Sequence, residues 1–241
     1  MPQVLVLDYP LARTRRLMGA LASIGIDARL TDTPLSARQA DVLVIPDGDD
    51  DDRALSRGIS GGVVDVIAGH VAKERPTLAV GLGLCLLLSG RTHPAMPAGA
   101  DVFRAPVQHF DPRMADEGER PLLSPHVGTS FVVGLDRHPV LSGVIAGVMK
   151  KGDAGVWLHF RHRLCAPARI PQADVAVGHH GVPFAAAIWR GPVLATQFLP
   201  EQSGPLGIEM LRAFFAKASL SSTRPGLVAA STSTQTPKGT S

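Results

Sequence analysis

Short apolar runs alternate with amphipathic stretches through the first part of the chain. Val4–Leu7 is a continuous apolar run closed by Asp8 and Pro10, the pattern of a buried strand feeding a loop. Residues 11–24 place Leu11, Leu17, Leu21 and Ile24 at helical spacing, with Arg13, Arg15 and Arg16 on the other face, and Gly25 stops the helix. Residues 26–30 and Val42–Ile45 predict the next two strands. The second is apolar throughout, as a strand covered on both faces of a parallel sheet is. A helix fits residues 63–72. Thr77–Val80 is another buried strand, which runs into Gly81-Leu82-Gly83 and a short apolar helix ending at Leu88. This alternation predicts an α/β fold, with a mostly parallel sheet flanked by helices and ligands at the carboxyl ends of the strands.

From Phe103 onward the pattern changes. Short β-like pieces at residues 131–133, 156–160, 184–189 and 193–198 are separated by Pro and Gly turns, so additional short antiparallel strands are expected in the second half. An amphipathic helix is expected over residues 205–217. Residues 218–241 are rich in Ser, Thr, Pro and Gly and short of large apolar side chains, which predicts a disordered tail behind a single domain of residues 1–217.

Composition narrows the classes of function. Of 241 residues, 45% are hydrophobic and 19% charged, enough for a globular core. The formal net charge of +3 comes without a Lys/Arg block, and aromatic residues make up 5%, which argues against a nucleic-acid platform. Two cysteines, Cys85 and Cys165, fit a reducing compartment and make no disulfide framework. The start lacks a signal-peptide pattern, and no apolar run is long enough for a bilayer span; a cytoplasmic location is expected.

One segment carries more than patterning. QFLPEQSG at residues 197–204 follows a strand and precedes the last helix. It resembles the QFHPEKSG motif of class I glutamine amidotransferases, in particular the glutaminase subunits of imidazole glycerol phosphate synthase in histidine biosynthesis. Other pieces fall into the same order. Asp8-Tyr9 with Arg15 resembles the family's opening DYGxGNxRS, and Ile45-Pro46 stands where the family has LPGVGAF. Residues 76–87 overlay PxLGICLGMQLL, Pro125-His126-Val127-Gly128 overlays PHMGWN, His138-Pro139-Val140 a following HPL, and Leu158-His159 a later VHS. The resemblance is collinear over residues 1–217 and implies the class I glutamine amidotransferase fold.

The residues that the family uses for chemistry are replaced. The resemblance implies a Cys nucleophile on the strand-to-helix turn, a His base and a Glu that orients the His. Gly81 stands at the nucleophile position, Leu199 at the base position, and only the orienter, Glu201, is retained. Where the family's glycine-rich loop supplies an oxyanion hole, residues 46–52 read PDGDDDD. Two readings of those carboxylates stay open: a solvated loop that complements the next helix N-terminus, or a divalent-cation site. Cys85 takes the nucleophile position only if the register slips by four residues; otherwise it is a buried apolar cysteine among leucines.

His159, His162 and Cys165 have a ligand-like spacing, but residues three apart on a strand point to opposite faces, so no metal site is expected there. His179-His180-Gly181 reads as a turn between strands. The resemblance places Pro125, His126, Gly128 and Gln202 near the contact with a partner, a (βα)₈-barrel cyclase or related synthase, and Thr129, Ser130 and Gln202 depart from the family there. An exposed turn without a partner role is the alternative for residues 125–130. No cofactor is implied. The functional expectation is a glutaminase fold without glutaminase activity: a scaffold or regulatory subunit, with a pocket open to glutamine or another small amino acid as effector. The competing expectation is a working glutaminase that uses Cys85 in a rearranged site.

Overall fold

In the computed structural model, residues 2–32, 34–49, 62–91, 98–111, 113–116 and 119–222 are described. The first part contains β1 (Val4–Leu7), α1 (Arg15–Ser23), β2 (Ala28–Thr31), α2 (Pro34–Ala37), β3 (Val42–Ile45), α3 (Val63–Val71), β4 (Thr77–Val80) and α4 (Leu82–Leu86). The later part contains β5 (Leu88–Arg91), β6 (Phe103–His109), β7 (His126–Val133), α5 (Ser142–Val148), β8 (Gly155–His162), β9 (Leu164–Cys165), β10 (Asp174–His180), β11 (Val182–Arg190), β12 (Val193–Thr196) and α6 (Gly204–Ser222).

Nine strands form one sheet in the order β2-β1-β3-β4-β12-β11-β10-β7-β8, and β5, β6 and β9 form a smaller one. The β1, β2, β3, β4 and β12 pairings are parallel, whereas β12–β11, β11–β10, β10–β7 and β7–β8 are antiparallel. The expected α/β architecture is thus present, with a larger antiparallel half than the pattern suggests.

Every residue of β1, β3, β4 and β12 is buried, because helices or loops cover both faces of the parallel half. Successive side chains supply two separate cores. Leu5, Leu7, Leu43, Ile45 and Ala79 enter one, and Val4, Val6, Val42, Val44, Leu78 and Val80 the other. On β8 the burial alternates instead, the signature of a strand with one wet face.

Three boundaries differ from expectation for reasons visible in the backbone. The helix expected from residue 11 begins at Arg15. Leu11 has φ +70°, Ala12 bridges Gly48, the Arg13 N–H donates to the Asp47 carbonyl and the Asp49 N–H to that of Leu11. The segment is therefore committed to the loop after β3. The helix after Gly81 stops at Leu86, since the Leu86 and Leu87 carbonyls accept from Ala100, Val102 and Phe103. The last helix continues to Ser222, beyond the expected end at residue 217. The remainder of the expected tail, residues 223–241, lies outside the described residues. Residues 126–130 belong to β7 and are not an exposed turn, while the expected turn at His179-His180-Gly181 is centred on Gly181, with φ +71°.

Candidate functional site

The carboxyl ends of β1, β3, β4 and β12 meet at one crevice, where an open α/β sheet places its ligands. Its cavity measures about 350 Å³ and is lined by Arg13, Arg16, Asp47, Arg161, Glu201 and Gln202, among others.

Gly81 ends β4 and begins α4 with φ +57° and ψ −120°. Such a backbone is open to glycine and costly for other residues. A second constraint lies in front of it: a Cβ built on Gly81 would stand 2.1 Å from Asp47 Oδ1 and 2.6 Å from its carboxyl carbon. Gly83 is fixed by another close approach, since a Cβ there would come within 2.4 Å of the Ile45 carbonyl oxygen. With glycine at 83, α4 sits directly on the end of β3 and holds Asp47 against the turn.

Asp47 is buried, and its Oδ1 accepts the Leu82 N–H at 3.0 Å. Its Oδ2 lies 3.3 Å from Arg13 Nε, and Arg13 also donates to the Gly48 carbonyl. The side chain thus occupies the N-terminus of α4, where a backbone N–H would otherwise meet a ligand's negative charge. Burial raises its pKa, and Arg13 together with the Leu82 and Gly48 N–H groups opposes the rise. Tyr9 completes the wall, donating its hydroxyl to the Pro46 carbonyl at 2.7 Å.

The other wall is the segment after β12. Leu199 is fully buried; its N–H donates to the His159 carbonyl at 2.8 Å, and its carbonyl accepts the Ser203 hydroxyl at 2.8 Å. The same hydroxyl accepts the His159 N–H at 3.0 Å, tying residues 199–203 to β8. Glu201 reaches into this wall with its Oε2 buried and without a hydrogen-bond partner among the described residues. Burial, with the Asp47 charge adding to it, raises Glu201 to about 7. Gln202 accepts from Arg16 across the mouth.

The structure therefore lines one crevice with Asp47, Glu201 and Gln202, sets Gly81 directly behind the Asp47 carboxyl group and keeps Leu199 in the core beside it. Cys85 is not in the crevice. It is buried within the apolar cluster of Leu82, Leu84 and Leu86. Pro125, His126 and Gly128 are not there either. The His126 ring is buried and bonded to His162 and Ser130, so it offers no side chain to a partner surface. His159 is half-buried, whereas His162 is buried, and no group of three His, Cys, Asp or Glu residues able to hold a metal occurs among the described residues. Asp47 caps α4 rather than the helix that follows its loop in sequence, and Asp49 is an exposed neighbour of Arg13. Asp50, Asp51 and Asp52 lie outside the described residues. Sequence reasoning missed the role of Asp47 because its partner N–H belongs to a distant turn. It also missed Arg161, which no motif singles out.

No family model matches the chain. Among curated proteins, the imidazole glycerol phosphate synthase subunit HisH of Syntrophotalea carbinolica is 30% identical over 211 residues, 88% of this chain and 98% of the relative. This chain belongs to the HisH family. The HisH of Deinococcus radiodurans is 30% identical over 88% of this chain and 93% of its own, and that of Thermobifida fusca 30% over 87% and 96%. The HisH fold is shared with solved class I glutamine amidotransferases. A putative GMP synthase subunit from Thermoplasma acidophilum superposes with a TM-score of 0.65 at 16% identity, covering 92% of this chain and 96% of that one. No helix among the described residues is long and apolar enough to cross a membrane.

Proposed function

We propose that this HisH-family chain has lost the glutaminase reaction and acts as a scaffold or regulatory subunit of a (βα)₈-barrel cyclase or related synthase. The observation that carries this reading is the Asp47 carboxylate on the Leu82 N–H, 2.1 Å from where a side chain at position 81 would begin. A nucleophile there would meet a buried carboxylate, and the N–H that follows it already has an anionic acceptor. A substrate oxyanion would have to displace that carboxylate or face it, the reverse of the preorganised donors that stabilise acyl-transfer transition states.

Leu199 and Glu201 support the same reading. If Glu201 is the orienter, its unpartnered Oε2 is what remains when the base it would hold is a leucine. In a catalytic triad, loss of the nucleophile or base alone costs about 10⁶ in turnover. Cys85 offers no substitute, because it is buried in the apolar cluster with Leu82, Leu84 and Leu86 and does not line the crevice. The crevice itself suits an effector. Arg13, Arg15, Arg16 and Arg161 outnumber Asp47 and Glu201 around it, so a glutamine or other small amino acid would enter by its carboxylate.

Ammonia release from glutamine, followed in a coupled assay with the full chain alone and with the host's cyclase, is expected to stay at the buffer rate. A glutaminase rate that Cys85→Ser abolishes would overturn the proposal. A one-to-one complex with the cyclase on size-exclusion chromatography is the expected sign of the scaffold role.

A further inference from the structure

A second constellation lies away from the crevice, across the antiparallel half of the sheet. His126 and Ser130 are four residues apart on β7 and share one face of the strand. His162 is the registered neighbour of His126 on β8. Ser130 Oγ is 2.8 Å from His126 Nε2, His126 Nδ1 is 2.9 Å from His162 Nε2, and His162 Nδ1 is 2.9 Å from the Leu164 carbonyl oxygen.

The carbonyl at the end fixes the direction of this chain. A carbonyl only accepts, so His162 Nδ1 donates, and in the neutral ring His162 Nε2 is left as an acceptor. His126 must then donate from Nδ1, which leaves its Nε2 lone pair facing the hydroxyl of Ser130. The His126 ring is held in that plane between Phe160 of β8 and His180 of β10, at centroid distances of 5.1 and 4.2 Å and interplanar angles of 22° and 20°. Nucleophile, base and orienter thus stand in the order that activates a hydroxyl for attack.

Ser130 also has access to a ligand. Pairing between β7 and β10 ends at Val132↔Gly178. Beyond that pair a cavity of about 620 Å³ opens, lined by Ser130, His180, Gly181, Ala115, Asp116 and Leu122. The base is buried and the nucleophile sits at the cavity wall, half-buried.

We propose that Ser130, with His126 as its base and His162 as a positioning residue, is a nucleophilic site that accepts acyl groups from activated carboxylic esters in this cavity. Ser130 Oγ bonds to the ester carbonyl carbon as its proton passes to His126 Nε2. The C–O bond to the alcohol breaks, and the leaving oxygen takes the proton from His126. Water then attacks the acyl-serine, gives its proton to His126, and that proton returns to Ser130 as the carboxylic acid departs. Two neutral imidazoles replace the usual imidazole–carboxylate pair, so the substrate class is limited to esters with good leaving groups.

The test is covalent labelling of the full chain with a fluorophosphonate probe, mapped by peptide mass spectrometry, together with turnover of p-nitrophenyl acetate. Label is expected on Ser130 at least tenfold faster than on any other serine, a modest part of the about 10²–10⁴-fold that a positioned base supplies. Ser130→Ala should remove it, and His126→Gln should slow it to the level of the other serines. His162→Asn, whose amide oxygen still accepts from His126 Nδ1, should keep most of the labelling, whereas folded His162→Leu should lose it. If His126→Gln does not fold, Ser130→Cys decides. At pH 6, where an ordinary thiol of pKa about 8.5 is almost wholly protonated, its reaction with iodoacetamide should exceed that of N-acetylcysteine at least tenfold. Labelling of Ser130 no faster than other serines, labelling indifferent to His126→Gln, or an ordinary thiol at Ser130→Cys overturns the proposal.

Discussion

Gly81→Ala is expected to destabilise the fold by about 2–6 kcal/mol, far above the cost of a methyl group on a surface turn. Two independent sources add. The backbone at φ +57°, ψ −120° is strained for any residue with a Cβ, by about 1–3 kcal/mol. The new methyl would also overlap the Asp47 carboxyl group, which is held by the Leu82 N–H and by Arg13 and has little room to retreat. Overpacking of this kind costs about 1–3 kcal/mol. A double-mutant cycle separates the two, because Asp47→Gly removes the obstacle and leaves the backbone strain. Urea unfolding of Gly81→Ala, Asp47→Gly and the double variant should give a coupling of about 1–3 kcal/mol. Simple additivity would mean that Asp47 does not fill the space in front of the turn. The same cycle bears on catalysis: Gly81→Cys with Leu199→His is expected to remain inactive while Asp47 is present.

The second large effect is acid lability. His126 and His162 are lowered to about 3, and His70 and His138 to about 4, chiefly by burial. At His138 the hydrogen bonding opposes protonation as well, since its Nδ1 accepts the N–H groups of Val140 and Leu141, both at 3.1 Å. With folded values below the ordinary 6.5, the unfolded chain binds more protons than the folded one below that pH. The contribution of these groups is complete above about 6.5 and is lost as pH falls toward 3–4. His162, the most deeply enclosed, steepens the loss by up to about 1.4 kcal/mol per pH unit. Glu201 works the other way. Its folded value of about 7 favours the folded protein at lower pH, and that advantage disappears as pH rises from its ordinary 4.5 through 7. Asp47, raised by burial, acts in the same direction as Glu201, but five lowered histidines, His159 included, against these two carboxyls leave a net fall. Chemical denaturation at pH 7.5, 6, 5 and 4 should show stability dropping steeply below 6, and Glu201→Gln should raise stability at pH 7.5. Stability that is level from pH 7 to 4 would contradict this reading of the buried histidines.

Much of this is legible in the sequence where local pattern governs. Val42–Ile45 and Thr77–Val80 match their strands to the residue, because a strand covered on both faces reads as an unbroken apolar run. The last helix is legible but its end is not, since the compositional change at residue 218 does not coincide with the end of the backbone hydrogen bonding. Strand β10 and helix α5 escape notice because Gly, His and small residues in them blur both periodicities. In the crevice, the replaced positions Gly81 and Leu199 are visible as departures from a motif. The part of Asp47 is not, because a carboxylate meeting an N–H thirty-five positions later leaves no trace in local spacing. The hydrogen-bonded run from Ser130 to Leu164 is hidden for the same reason. It depends on the register of β7 against β8, and register is a property of the assembled sheet.

That sheet also sets an order of events for the nascent chain. Strand β12 lies between β4 and β11 and is the seam where the parallel half meets the antiparallel half, with Val193 beside Thr77. Until residues 193–196 leave the ribosome, β4 presents an unpaired and largely apolar edge, and the two halves have no common strand. Pairings so distant along the chain form slowly and expose sticky edges while they wait. A copy truncated before β12 should therefore aggregate rather than persist as a smaller domain. The last short strand of the body is the one on which the whole depends.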